Sequence, residues 1–135
     1  MKLRKRIAAF GAALVMAVSM MSIGASADDY TVYWQTLFYG VGVPSYLCNT
    51  LSSATVKART NGSTFNVNIS INKTGNAYVY AHGYGANNSP NISSSGTYPI
   101  HYSSSVLLKG QYAYFELSLM NYTSSSITAS GNVSN

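Results

Sequence analysis

Residues 54–72 read ATVKARTNGSTFNVNISIN, and this stretch decides the fold class. From Thr64 to Asn72 apolar side chains alternate strictly with Asn, Ser and Thr, and residues 54–60 alternate in the same way. A period of two predicts half-buried β-strands with one wet face. The dipeptide Asn61-Gly62 between the two runs predicts a tight hairpin that pairs them with each other.

The same alternation recurs on both sides of this stretch, and no amphipathic helix is evident in the sequence after the first 27 residues. Extended segments are predicted near residues 29–39, 77–82, 98–102, 111–120 and 126–133. Gly, Asn, Ser and Pro separate them as turns about every 8–12 residues, a spacing typical of sandwiches. We therefore expect an all-β fold, a single small antiparallel β-sandwich of about six or seven strands. A small barrel is the alternative.

The first 27 residues have the pattern of a secretory signal peptide. Basic residues between Lys2 and Arg6 precede an almost unbroken apolar run over residues 7–23, and Ala25-Ser26-Ala27 forms a small-x-small cleavage site. The sequence thus predicts a signal helix over residues 1–27, a mature domain over residues 28–135 and a secreted protein. An uncleaved membrane anchor is the alternative reading, but the apolar run is shorter than the ~20 residues that a spanning helix needs.

Most of the basic charge belongs to the predicted signal. Residues 28–135 keep four Lys and Arg against three Asp and Glu, a net charge of +1. Four scattered cations do not form the basic patch that binding to nucleic acid requires, and they do not drive adsorption to anionic lipid. We expect no nucleic-acid partner and no membrane association after cleavage.

The mature chain has few groups that catalyse reactions or bind metals. Glu116 is its only carboxylate away from the N-terminus, so a glycosidase with two carboxylates is disfavoured. Cys48 with His82 or His101 has no local signature of a nucleophile pair, and the two histidines lack a third metal ligand. We predict no enzyme, metal or cofactor. Cys48 is expected to be a buried thiol, or else to form an intermolecular disulfide.

The tyrosines give the clearest sign of function. Alternation places Tyr78, Tyr80 and His82 on one face of their strand, and Tyr112 and Tyr114 on the non-core face of theirs. If the two strands are neighbours, the rings form a stripe that can stack on sugar faces or peptides. Alternatively, the tyrosines only stabilise the sheet as cross-strand pairs. With the single tryptophan, which could equally be a core residue, the candidate ligand-binding residues are Trp34, Tyr78, Tyr80, His82, Tyr112 and Tyr114.

Two resemblances bear on these expectations. The aromatic early strand, the segment Phe65-Asn66-Val67-Asn68 and the late Ser130-Gly131 resemble small secreted proteins of Gram-positive bacteria that form a family of unknown function. This resemblance implies the fold and the localisation.

A second resemblance covers about 50 residues. It rests on Trp34-Gln35, Tyr39-Gly40-Val41, Ser45-Tyr46, Ser53-Ala54-Thr55-Val56 and Tyr78-Val79-Tyr80-Ala81. These segments are similar to the pattern of lactococcin-type secreted β-sandwich bacteriocins. The resemblance implies action on sensitive Gram-positive cells through a cell-wall precursor.

Together these features predict a secreted, non-enzymatic binding protein of a Gram-positive bacterium that acts at the cell envelope through a Tyr-rich sheet face. The expected partner is a cell-wall polymer or another exported protein. A bacteriocin-like effector and a self-assembling surface protein are the alternatives, the latter because a weakly charged sandwich with open edges can pair edge to edge. Strand order and oligomeric state stay open at this level.

Overall fold

The computed structural model describes residues 29–104, 106–121 and 125–135. The predicted signal peptide, residues 1–27, lies outside the described residues. The strands are β1 (Thr31–Tyr33), β2 (Leu37–Tyr39), β3 (Leu51–Lys57), β4 (Thr64–Thr74), β5 (Ala77–Gly83), β6 (Asn91–Ile92), β7 (Gly96–His101), β8 (Tyr112–Asn121) and β9 (Ser126–Ser134). Within these ranges the helical content is one 3-10 turn, Ser45–Leu47.

The strands form two antiparallel sheets, which confirms the predicted all-β sandwich. The first has the order β1-β9-β4-β7, and β2 also pairs with β9. The second has the order β3-β8-β5-β6. We name them the β9 sheet and the β8 sheet, each after one of its central strands. The described strands number nine rather than six or seven for two reasons. The first predicted extended segment is divided into β1 and β2, and β6, with only two residues, is too short for alternation to reveal it.

The core lies between the sheets and comes from the apolar half of each alternating run. Phe65 of β4 and Phe115 of β8 are fully buried, and their ring centroids are 5.1 Å apart. Tyr102, just after β7, packs edge-on against both rings. The inward side chains of the two long central strands therefore meet in the middle of the sandwich.

The hairpin predicted at Asn61-Gly62 is wrong. β3 pairs with β8 in one sheet, whereas β4 pairs with β7 and β9 in the other. The turn still has the expected backbone, with Gly62 at φ +57°, but its hydrogen bonds go to a distant loop. The Gly62 N–H donates to the carbonyl of Leu107, and the Lys109 N–H donates to Asn61 Oδ1. The segment thus crosses from one sheet to the other.

The break between β1 and β2 is a bulge against β9. Tyr33 lies opposite Asn132 and Leu37 lies opposite Ala129, so the three residues 34–36 face two residues of β9. An extra residue of this kind bends a strand and disrupts its ladder locally. Here it accompanies the burial of Trp34, whose residual exposure is 3%.

Candidate functional site

Five of the six predicted site residues lie on the outer face of the β8 sheet. β5 and β8 are neighbours, with Tyr80 opposite Ser118 and His82 opposite Glu116. Along β5 the inward alanines and Val79 are buried while Tyr78, Tyr80 and His82 are half-buried on the other side. The two strands are therefore neighbours and their rings share one face, as the predicted stripe requires. The register offsets Tyr112 and Tyr114 along the sheet from Tyr78 and Tyr80.

Four aromatic side chains follow one another across this face, and we call Tyr80, His82, Tyr84 and Tyr114 the aromatic row. The Tyr80 and His82 rings are stacked with centroids 6.0 Å apart. His82 and Tyr84 meet edge-on at 4.7 Å, and Tyr84 and Tyr114 are tilted at 5.3 Å. Tyr84 is 53% exposed and Tyr114 is 40% exposed, whereas Tyr80 and His82 are half-buried, so the row is most open to solvent at its Tyr84 and Tyr114 end.

Tyr84 was not predicted from the sequence, because it follows Gly83 in a loop-like segment. It nevertheless continues the alternation of Tyr78, Tyr80 and His82, and its N–H donates to the carbonyl of Tyr114 at 3.0 Å. Extending the period of two by one step beyond the glycine would have found it.

Glu116 lies beside the row as a half-buried carboxylate. Tyr84 Oη donates to its Oε2 at 3.1 Å, and Tyr114 Oη donates to its Oε1 at 3.5 Å. The hydrogen bond to Glu116, reinforced by its negative charge, raises the pKa of Tyr84. The one ion pair found in the described ranges joins Lys57 to Asp29, at 3.9 Å, so Glu116 has no cationic partner there.

Tyr112 belongs to a different cluster. Its Oη donates to Asp29 Oδ2 at 2.9 Å, and this hydrogen bond raises the pKa of Tyr112. Lys57 lies 5.8 Å from the centre of the Tyr112 ring, and Arg59 lies 4.2 Å from that of Tyr30.

Tyr78 lies towards the opposite end of the face, across from Met120. The predicted stripe is therefore a central row with Tyr78 and Tyr112 near its two ends.

Trp34 does not join the tyrosines. It lies in the β9 sheet and lines a groove of about 570 Å³ on that side of the molecule, which we call the transverse groove. The groove crosses the sheet from the β1–β2 bulge to β7. Its lining residues are Tyr33, Trp34, Thr36, Asn68, Ile69, Ser70, Gly96, Thr97, Ser130, Gly131 and Asn132.

The remaining reactive side chains are dispersed. His82 Nδ1 lies 2.9 Å from Ser89 Oγ on the β8 sheet, whereas His101 Nδ1 lies 3.1 Å from Thr64 Oγ1 on the β9 sheet. Cys48 has a free thiol and is half-buried rather than buried, because it follows the exposed 3-10 turn. Over residues 29–104, 106–121 and 125–135, no three His, Cys, Asp or Glu residues come together as metal ligands.

Comparisons with protein-family models, with curated proteins and with solved structures found no match to this chain. In the part of the chain that the structure describes, no helix has the length and apolar character needed to cross a bilayer.

Proposed function

We propose that this is a secreted, non-enzymatic binding protein that acts at the envelope of a Gram-positive bacterium by holding a cell-wall polysaccharide against the aromatic row. The observation that supports this proposal is the run of four neighbouring rings on an exposed sheet face. Rings at spacings of 4.7 to 6.0 Å let one extended polymer make several stacking contacts at once.

The polar groups at the row suit a polymer that donates hydrogen bonds. Glu116 accepts from two tyrosines, and a carboxylate has further lone pairs for sugar hydroxyl or amino groups. Hydrogen bonds to an ionised acceptor are stronger than those between neutral groups. We therefore expect a preference for neutral or amine-bearing sugars over acidic ones.

The non-enzymatic part of the proposal rests on the inventory of reactive groups. Glu116 is the one carboxylate beside the aromatic row, and glycoside hydrolysis generally uses two carboxyl groups held a fixed distance apart. A lone carboxylate among tyrosines can bind a ligand, but it cannot serve as both the general acid and the nucleophile or base of glycoside hydrolysis.

The test is a pull-down of purified residues 28–135 with isolated peptidoglycan and with intact Gram-positive cells. Replacing Tyr84 or Tyr114 with alanine removes a stacking ring, and we expect about a tenfold weaker binding for each, equivalent to about 1.4 kcal/mol. Tyr46→Ala is the matched control, since Tyr46 is 83% exposed and lies outside the row. Equal binding by all three variants and the wild type would refute the role of the row.

A growth assay on the same strains addresses the bacteriocin-like alternative. Inhibition at micromolar protein, lost in Tyr84→Ala, would favour an effector that acts through the row. Binding without inhibition would favour a wall-associated module.

Self-assembly is a second candidate function, and the edge of the β8 sheet favours it. β3 is a seven-residue edge strand whose one paired neighbour among the described strands is β8, and Leu51 at its start is exposed. Exposed edges of this length can pair with another chain. Sedimentation at high protein concentration tests this, and placing a charge or a proline at Ser53 should abolish any association that uses the edge.

A further inference from the structure

We propose that the transverse groove is a second binding site, separate from the aromatic row, and that it takes a linear neutral oligosaccharide. Its lining residues are uncharged throughout: they carry amides and hydroxyls, or are glycines, with Ile69, Tyr33 and Trp34 beside them. Neither Lys57 nor Arg59, Asp29 or Glu116 lines it. An anionic or cationic ligand would therefore lose hydration there without gaining a charged partner.

The polar groups of the groove are held in fixed positions before any ligand binds. Asn68 Nδ2 donates to Asn132 Oδ1 at 2.8 Å, and Thr97 Oγ1 donates to Asn68 Oδ1 at 2.8 Å. These bonds connect β7, β4 and β9 across the groove. They also leave the Asn132 NH2 group as a donor for an incoming hydroxyl or carbonyl oxygen. A row of amides and hydroxyls across neighbouring strands matches the repeated hydroxyls of a sugar chain.

The shape of the groove is a product of the fold. The bulge at residues 34–36 departs from the β9 ladder at one end of the groove, and Gly131 of β9 approaches the carbonyl of Asn68 too closely for any side chain. The groove spans four strands, so it is roughly 15 Å long at the usual spacing between strands. This length suits an extended ligand, and the exposed Tyr33 ring at the bulge gives it a stacking surface.

Trp34 supplies an independent sign that the groove is a site. Its indole Nε1–H is buried and has no hydrogen-bond partner among the described residues. Buried donors are satisfied in the great majority of native structures, so an unpaired donor in a residue that lines a groove suggests that a ligand or a water supplies its acceptor. An acceptor that enters the groove with a small movement of Trp34 would satisfy this donor.

Trp34 also makes the proposal testable, because it is the only tryptophan of the chain. Its emission should change when triacetylchitotriose, cellotriose or maltotriose is titrated into residues 28–135 up to about 10 mM. Calorimetry on the same samples detects binding that leaves the emission unchanged. We expect saturable binding of at least one of the three. Absence of both an emission change and heat for all three sugars would overturn the proposal.

Ser70→Leu places an apolar side chain at the groove, and we expect binding at least tenfold weaker. Ser130→Leu, on the opposing residue, is the second variant. Asn72→Leu is the matched control, because Asn72 lies two residues further along the exposed face of β4 and does not line the groove. Equal affinity in Ser70→Leu, Ser130→Leu and Asn72→Leu would place the sugar elsewhere and overturn the proposal.

The Tyr84→Ala/Tyr114→Ala double variant separates this site from the aromatic row. We expect it to keep the Trp34 response even where its binding to peptidoglycan is lost. Loss of both together would assign the sugar to the row and overturn the separate site. A response to an Asn- and Ser-rich peptide with none to the sugars would also overturn it.

Discussion

Tyr102 carries a hydroxyl into the core without a hydrogen-bond partner among the described residues. The residue is 5% exposed, and its ring packs against Phe65 and Phe115 at centroid distances of 5.4 and 5.9 Å. A buried, unpaired hydroxyl costs free energy, so the ring stabilises the core and the oxygen does not. Tyr98 has the same side chain in the opposite situation, since its hydroxyl donates to the Ser94 carbonyl at 2.9 Å.

These two tyrosines give a matched pair of substitutions. Tyr102→Phe removes an unpaired group, and we expect the free energy of unfolding to stay unchanged or to rise by up to about 1 kcal/mol. Tyr98→Phe removes a made hydrogen bond, and we expect a loss of about 1 kcal/mol. Chemical denaturation measures both. A loss in Tyr102→Phe as large as that in Tyr98→Phe would contradict the description of the Tyr102 hydroxyl as unsatisfied.

Burial also raises the pKa of Tyr102 well above its usual value of 10.0. Below pH 10 both the folded and the unfolded chain keep this proton, so stability is fully present there. As the pH rises above 10, the unfolded chain ionises first and the free energy of unfolding falls by up to about 1.4 kcal/mol per pH unit. Stability curves between pH 9 and pH 11.5 should be flatter for Tyr102→Phe than for the wild type. Parallel curves would contradict the prediction.

At the scale of elements, two glycines of the β9 sheet make opposite predictions. A Cβ on Gly131 of β9 would collide with the backbone carbonyl of Asn68, which belongs to the central β4 and cannot move easily. A Cβ on Gly96 of β7 would meet only the Tyr98 side chain, at an ordinary 3.4 Å. Gly131→Ala should therefore lower the free energy of unfolding by about 2–3 kcal/mol, through overpacking.

Gly96→Ala should be neutral, or stabilising by up to about 1 kcal/mol, because alanine restricts the unfolded chain more than glycine does. Thermal denaturation of the two variants beside the wild type provides the measurement. Equal destabilisation of Gly131→Ala and Gly96→Ala would mean that the distance between Gly131 and the Asn68 carbonyl is larger than described.

The sequence predicts the elements better than their partners. The alternation in residues 64–72, 77–82 and 111–120 reports which side chains face the core, because burial on one face imposes a period of two. It does not report which strand lies alongside. Asn61-Gly62 has the local chemistry of a hairpin, yet the chain uses it to change sheets, since a turn fixes the backbone conformation and not the pairing beyond it.

The candidate site shows the same division. The outward direction of Tyr78, Tyr80 and His82 follows from alternation alone, whereas the pairing of β5 with β8 does not and was only a condition of the predicted stripe. The central position of Tyr84 and Glu116 depends on the register of β5 against β8, which the alternation along a single strand does not specify. Trp34 was predicted with the tyrosines, but the bulge that buries it cannot be inferred from residues 34–36 by themselves.

At the scale of the whole molecule, the low charge of residues 28–135 determines how binding responds to salt. The proposed contacts are stacking and hydrogen bonds, with Glu116 as the one charged group that hydrogen-bonds to the tyrosines of the aromatic row. Screening acts on exposed charges and hardly on stacking. Binding to peptidoglycan should therefore change less than about threefold between about 0.1 M and 1 M NaCl.

A Glu116→Gln variant is the control for this measurement, since it should remove whatever salt dependence the wild type has. A steep fall in binding with salt, retained in Glu116→Gln, would point to Lys57 and Arg59 and away from the row.

The strand order has a consequence for how an exported chain becomes folded. β8 and β9 are central strands with partners on both sides, and they are also the last two described strands along the chain. As such a chain emerges from a translocation channel with its N-terminus first, β3, β4 and β5 have appeared but do not pair with one another. Among the described strands, β3 has no partner before β8 appears, and β4 and β5 still lack their longest pairings, which are with β9 and β8. If the chain is exported as proposed, neither sheet could be completed until these last strands have left the channel, and the precursor would remain largely threadable until late in its transit.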